Sequence, residues 1–241
     1  MHRTGSTIWR YIADSVAEEI RGQVFAPGDR LPTEAELAMR FGVNRHTVRR
    51  AIASLQDSGL VRIEQGRGTF VQEDIIDYPL SSRTRFSEII ERQAKTPSGT
   101  LLRCATIPAD QPASEALGVA RGAPIALIET IGKADHQPIS LVGHHFSLDR
   151  FPDVLAAYEA EGKITPMLKR LGVEDYFRKS TTITARMPNS YETRHLRVAR
   201  MTPILCLEAI NVDSEGTPVE YGFTRFSSSR VQILIDTLPP S

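Results

Sequence analysis

The sequence predicts an α+β protein in two parts: three helices and a β-hairpin first, then a larger domain around a mainly antiparallel sheet. Three observations carry this. Apolar residues recur every fourth position near the start, at Ile8, Ile12, Val16 and Ile20, the spacing of a buried helical stripe. Capping and turn residues then cut the chain into short pieces up to about residue 72. Beyond residue 81, short β-branched and apolar runs separated by polar turns outnumber helical stretches.

The first helix carries the four-residue repeat, and "FAPGDRLP" with Pro27, Gly28 and Pro32 ends it. Thr33 and Glu36 stand at capping-box spacing and open a second, short helix to about Phe41. Gly42 suits the left-handed turn that closes it. Asn44 is a good N-cap for a third helix reaching about Ser58, with Gly59 after it. "LVRIEQGRGTFV" reads as a hairpin of two short strands around "GRG".

Residues 1–72 form the first expected domain, 73–80 (within "QEDIIDYPLS") a linker, and 81–241 the second domain. Within the latter, "LLRCATI", "IALIETI", "ISLVGHHF", "TTITA", "ILCLEAINV", "VEYGFTRF" and "VQILI" are strands, and "ADHQP" and "DSEGTP" are turns. Helices are expected over about 86–94, 113–117, 163–171 and 190–197, the last with Asn189 and Glu192 as a second capping box.

Composition excludes several classes. Net charge is zero and the pI near 7.0, so any affinity for nucleic acid is local. Residues 1–72 carry ten basic and eight acidic side chains, a slight excess of positive charge. There are two cysteines, Cys104 and Cys206, both in apolar surroundings, which points to free thiols in a reducing, cytoplasmic setting. No apolar run is long enough to span a membrane. His144 and His145 are neighbours on a strand and point to opposite faces, so they do not chelate one metal together. No zinc-ligand spacing and no nucleophile–base motif is present; no cofactor, metal site or catalytic residue is expected.

The local charge lies in "VNRHTVRRAI", residues 43–52. On a helical wheel Val48, Ala51, Ile52 and Leu55 share one face, while Arg45 and Arg49 lie one turn apart on another, flanked by His46 and Arg50. Like charges at this spacing repel, so the face costs stability unless something negative meets it. The bland alternative is a solvated basic face. Against it stand the preceding short helix, the hairpin that follows, and the charge at the N-terminal turn, where a recognition helix meets base edges. Three helices and a hairpin make a winged helix–turn–helix, and the DNA major groove admits a helix of this size.

"GDRLPTEAELAMRFGVNRHTVRRAIASLQDSGLVRIEQGRGTFV" closely resembles the DNA-binding domain of the GntR family of bacterial transcription regulators. The resemblance implies that Arg45, His46, Thr47, Arg49 and Arg50 approach DNA from the third helix, and Gln65 and Gly66 from the wing. Where some relatives place a contacting arginine, this chain has Ala35; Arg30 and Arg40 are the nearby cations. The following α+β domain resembles the UTRA ligand-binding domain of the HutC subfamily, similar in fold to chorismate lyase. "VNRHTVRRAI" with "DYPLSSRTRFSEII" most resembles the branch that regulates phosphonate utilisation.

That resemblance implies an effector pocket built from Arg85, Ser87, Thr130, His144, Lys163, Thr165, Glu220 and Arg225. Departures bear on its chemistry. An Arg-x-Arg pair of sugar-phosphate-binding relatives is replaced by Thr130 and Gly132, a Glu by Val142, a Ser or Thr by His144 and a Tyr by His145. A sugar phosphate held by that arginine pair is therefore disfavoured, and a strongly anionic ligand loses support. Each residue also has a structural reading: Ser87 caps a helix, Arg85 ties the linker to the domain, Glu220 pairs with an arginine. The function expected is a repressor released by a small molecule, acting as a homodimer on an operator with two-fold-related half-sites. The rivals are a HutC-type regulator of another pathway (amino acid or sugar-phosphate catabolism), an enzyme on the second domain's fold, and an architectural DNA binder without an effector.

Overall fold

A computed structural model describes residues 5–22, 24–64, 66–72, 75–83 and 85–235. The chain forms two compact units, Met1–Asp74 and Ile75–Ser241.

In the first unit, α1 (Gly5–Arg21) buries Ile12, Ala13, Val16 and Ala17, with Ile8 and Ile20 half-covered at its ends. The helix α2 (Glu34–Phe41) starts at a complete capping box: Glu36 donates its N–H to the Thr33 side chain, and its carboxylate accepts the Thr33 N–H at 2.7 Å. Gly42 closes it at φ 65, where a Cβ would be strained. The helix α3 (Arg45–Asp57) is capped by Asn44 and buries Val48, Ala51, Ile52 and Leu55. These side chains meet α1 in one apolar core. The hairpin follows as β1 (Val61–Glu64) and β2 (Gly68–Val71), whose Val61 and Val71 close the core from below. Each such fully buried aliphatic contributes about 1.5–3 kcal/mol.

The second unit is a six-stranded, wholly antiparallel sheet in the order β4 (Pro97–Pro108), β5 (Pro124–Ala134), β6 (Gln137–Ser147), β9 (Pro218–Ser227), β8 (Ile204–Val212), β7 (Phe177–Arg186). Helices cover both faces. On one face, α6 (Val154–Glu161) and α7 (Ile164–Arg170) pack on Ala126, Ile128 and Phe146. The same face continues over Leu207 and Phe226 to α4 (Phe86–Arg92) and to a small parallel pair, β3 (Ile76–Pro79) with β10 (Val231–Leu234). On the opposite face, α5 (Gln111–Leu117) packs on Ile125 and Tyr221, and α8 (Ser190–Leu196) on Leu141 and Cys206. Asn189 and Glu192 form the second capping box.

Two features depart from the sequence reading. The stretch 73–80, expected as a linker, is a strand over Ile76–Pro79: Ile76 and Tyr78 are buried, and Tyr78 stacks on Phe226 at 4.6 Å. Its partner β10 is more than 150 residues away in sequence, a pairing no local pattern announces. Pro79 is tolerated because it is the last residue of an edge strand. The helix α6 was not anticipated either, since "VLAAYEAE" has no polar face to mark it. Cys206 is buried and Cys104 half-buried, and both are free.

Candidate nucleic-acid interface and ligand site

The first two turns of α3 present Arg45, His46, Arg49 and Arg50 to solvent while the opposite face fills the core. Asn44 Oδ1 accepts the Thr47 N–H at 2.9 Å and the Thr47 hydroxyl at 3.0 Å, so Thr47 is half-buried and its proton is spent on the cap. Arg49 is not a loose cation. Its Nε and Nη2 donate to Glu34 Oε1 and Oε2 at 3.0 and 2.8 Å. The hydrogen bonds of Arg49, with its charge and those of Arg45 and His46, hold the Glu34 carboxyl below its ordinary pKa against the opposing effect of burial. A guanidinium has five N–H donors. A side-on fork to Glu34 uses two and leaves the end-on pair, Nη1 and Nη2, able to reach O6 and N7 of a guanine. Glu34, the first residue of α2, thus orients Arg49; the sequence reading missed it, although its place fifteen residues earlier across the helix–turn–helix gave a usable signal.

Arg50 is exposed and has a second contact. Its guanidinium lies over the Trp9 indole at 4.7 Å, tying α3 to α1. Arg40 is committed to an ion pair with Glu19, and Arg30 packs over Gly68. Gly66 stands exposed in the hairpin turn at φ 74; Gln65 lies outside the described residues.

In the second unit, strand register sorts the expected ligand residues. Thr130 pairs with Val142, Ile128 with His144, and His144 with Gly222, so Thr130, His144 and Glu220 share the face covered by α4, α6 and α7. Arg225 does not: five positions from Glu220 on an unbroken strand, it faces the other side. There its Nε donates to the Leu141 carbonyl and its Nη2 to Glu129 at 3.1 Å. Tyr191 donates to the same Glu129, and burial together with that carboxylate pushes the Tyr191 phenol up to about 12. Arg225 is a structural ion-pair residue, not a pocket residue.

On the shared face, Glu220 is buried and fully engaged. Its Oε1 pairs with His144 Nδ1 at 2.5 Å and its Oε2 accepts from Asn211 Nδ2 at 2.7 Å. Burial alone would raise its pKa; the facing His144 charge, the two hydrogen bonds and the charge of Arg178 outweigh burial and hold it low. The partner anticipated for Glu220 was an arginine, and a histidine takes that place. Thr165 reaches this cluster through Tyr176, whose hydroxyl lies 3.1 Å from Thr165 Oγ1. Arg85 lies over the Tyr176 ring at 3.9 Å, donates to its carbonyl at 3.3 Å and sits 3.6 Å from Asp175. Lys163 is the exposed residue before α7. Ser87 is exposed inside the first turn of α4 and does not cap it; Arg85 holds the N-cap position without a side-chain cap bond.

The missing arginine pair has a steric counterpart. A Cβ on Gly132 would collide with Ser140 Oγ and come within 2.8 Å of the Phe86 ring, so α4 fills the space a longer side chain needs. His145 faces the other side, its Nδ1 3.1 Å from the Tyr221 carbonyl. A cavity of about 440 Å³ opens on that side, lined by Pro112, Ala116, Ser180, Glu208, Ile210 and Tyr221 among others. Its lining carries carboxylates and no cation, which makes it a poor receptor for an anion.

Comparison with known proteins supplies the context for both surfaces. Residues 92–232 match the UTRA domain, and residues 10–71 match the bacterial regulatory proteins of the gntR family. Over 234 residues the chain is 38% identical to the uncharacterized HTH-type transcriptional regulator RB1450 of Rhizobium meliloti (strain 1021), covering 97% of this chain and 96% of that one. Over 231 residues it is 31% identical to a protein of Escherichia coli (strain K12) named "Probable transcriptional regulator PhnF", covering 95% of each. It is 28% identical over 224 residues to the mannosyl-D-glycerate transport/metabolism system repressor MngR of the same organism, covering 92% of each. The crystal structure of PhnF from Mycobacterium smegmatis shares the fold, with a TM-score of 0.63, 23% identity and coverage of 95% of this chain and all of that one.

Proposed function

Since this chain belongs to the GntR family of bacterial regulatory proteins and carries a UTRA domain, we propose that it is a repressor that leaves its operator when a small molecule binds the second unit. It is a transcription regulator rather than an enzyme. The observation that carries the DNA half is the exposed Arg45–His46–Arg49 stripe on a helix whose other face is core. Arg45 and Arg49 supply charge against the phosphates and guanine readout, and the hairpin turn with Gly66 is the second element offered to DNA. The observation that carries the effector half is the polar cluster of Arg85, His144, Thr165 and Glu220 between α4 and α7.

One recognition helix reads too few base pairs for a genome, so two copies of the chain act on half-sites about one helical turn apart, joined through residues 81–241. Operons of phosphonate utilisation are the target favoured by the motif resemblance and by the 31% identity to a protein bearing the PhnF name. Repression is favoured by the kinship with a named repressor. Work on bacterial DNA supports a cytoplasmic location. Among the described residues no helix is long and apolar enough to cross a membrane.

The test is a thermal-shift screen with phosphonates, phosphate, amino acids and sugar phosphates, since a ligand of the folded state raises the melting temperature by mass action. A hit that also releases DNA supports the reading. A chain that binds DNA but responds to no metabolite is no ligand-controlled repressor. Light scattering at micromolar concentration checks the dimer, and a monomer contradicts it.

A further inference from the structure

We infer that Arg178 anchors an oxyanion of the effector, so that the ligand is a small carboxylate, phosphate or phosphonate. This rests on the reading that the second unit binds an effector and names that effector's class. Arg178 stands on β7 opposite Asn211, which places it on the face of Glu220 and His144. Its backbone N–H donates to the Ser82 carbonyl at 2.9 Å, fixing the edge strand beneath the segment that leads into α4. Its charge acts on the buried Tyr78 phenol, opposing the upward push of burial on that group. Its Nε and Nη1 are buried and have no hydrogen-bond partner among the described residues.

A guanidinium keeps its charge at any physiological pH and offers only donors. Buried donors left unmade cost free energy, so the group that completes them is an acceptor. Glu220 is close enough to feel the charge, yet its two oxygens are taken by His144 and Asn211. Arg85 adds a second cation across the Tyr176 ring, a ring that feels both arginines. Arg85 has Asp175 3.6 Å away and Glu220 is engaged by His144 and Asn211, so the two open donors of Arg178 are what favours an incoming negative group. The positive charge that the sequence had lost at Thr130 and Gly132 is thus returned from another strand.

The experiment titrates the full chain by calorimetry with inorganic phosphate, methylphosphonate and acetate, with glycerol as the neutral control. At least one oxyanion binds, and which one identifies the source. Arg178→Gln weakens that binding roughly 10–100-fold, the loss of a charge-assisted contact. In arginine-labelled wild type, the Arg178 Nε–H resonance, assigned by its absence in Arg178→Lys, shifts on binding; this decides the matter even if Arg178→Gln does not fold. A resonance unmoved at saturation, or unchanged affinity in a folded Arg178→Gln chain, overturns the inference. If no oxyanion binds while a neutral ligand releases DNA, the effector reading stands and the oxyanion is excluded. If no ligand of any charge binds, both fail.

Discussion

Arg49→Ala separates DNA reading from folding. In the free chain, Arg49 is exposed and forked onto Glu34 at 3.0 and 2.8 Å. Exposed pairs add little to stability, so thermal melting should not move measurably. Against DNA the same group offers its two remaining end-on donors, and loss of a bidentate guanine contact should weaken binding roughly 5–150-fold. The duplex is one selected by the chain from a random pool, and the assay is fluorescence anisotropy across salt concentrations. The penalty should persist at every salt concentration, with specificity relaxed at one base pair of each half-site; a purely phosphate contact would weaken all sequences alike. Glu34→Gln provides the second arm: the arginine stays but loses its fixed orientation, and affinity should fall by less than in Arg49→Ala. Unchanged affinity in Arg49→Ala would remove the residue from the reading set. Affinity unchanged in Glu34→Gln would show that the ion pair positions nothing.

Other perturbations separate core, coupling and pH. Ile52→Ala removes a side chain that is 3% exposed and should destabilise the first unit by about 2–5 kcal/mol. DNA binding should then be normal in the cold and lost on warming; loss at all temperatures with unchanged melting would refute a core role. Tyr78→Phe keeps the ring on Phe226 but removes the buried phenol on which the Arg178 charge acts. Since Tyr78 lies a few residues after the first unit ends, ligand affinity should hold while ligand-driven DNA release weakens; unaltered release would remove Tyr78 from the coupling. Burial holds the His145 pKa below 6.5, with the Tyr221 carbonyl opposing and the His144 charge assisting. Below about pH 6.5 the unfolded chain therefore binds a proton that the folded chain refuses. Stability is full above that pH and declines as pH falls through it toward the lower folded value. His145→Phe should flatten the melting temperature between about pH 7 and 5.5, and an unchanged slope would assign it to another group.

The first unit was readable because its signals are local. Thr33 with Glu36, Gly42, and Asn44 each act within one turn, and α1–α3 follow them closely. The strands of the sheet were readable for the same reason. What failed was non-local. The strand β3 exists because β10 lies beside it, and Arg178 enters the ligand cluster past a register shift between Arg178 and Ser180 that alternation along "FRKSTTITAR" does not show. The contact of Arg50 with Trp9, forty-one residues earlier, likewise depends on packing of α3 on α1 and had no local signal. Arg225 is a different case: an odd separation from Glu220 already puts the two on opposite faces, the argument applied correctly to His144 and His145.

The central claim is that a metabolite seated in the second unit controls DNA held by α3. The most direct measurement is anisotropy of a duplex selected from a random pool, bound by the full chain and titrated with the oxyanion found by calorimetry. The account predicts an enriched inverted repeat whose affinity falls roughly 5–150-fold as the ligand saturates, and a ligand affinity weakened by the same factor when DNA is present. A pool without an enriched repeat, or a complex indifferent to saturating ligand, would contradict it.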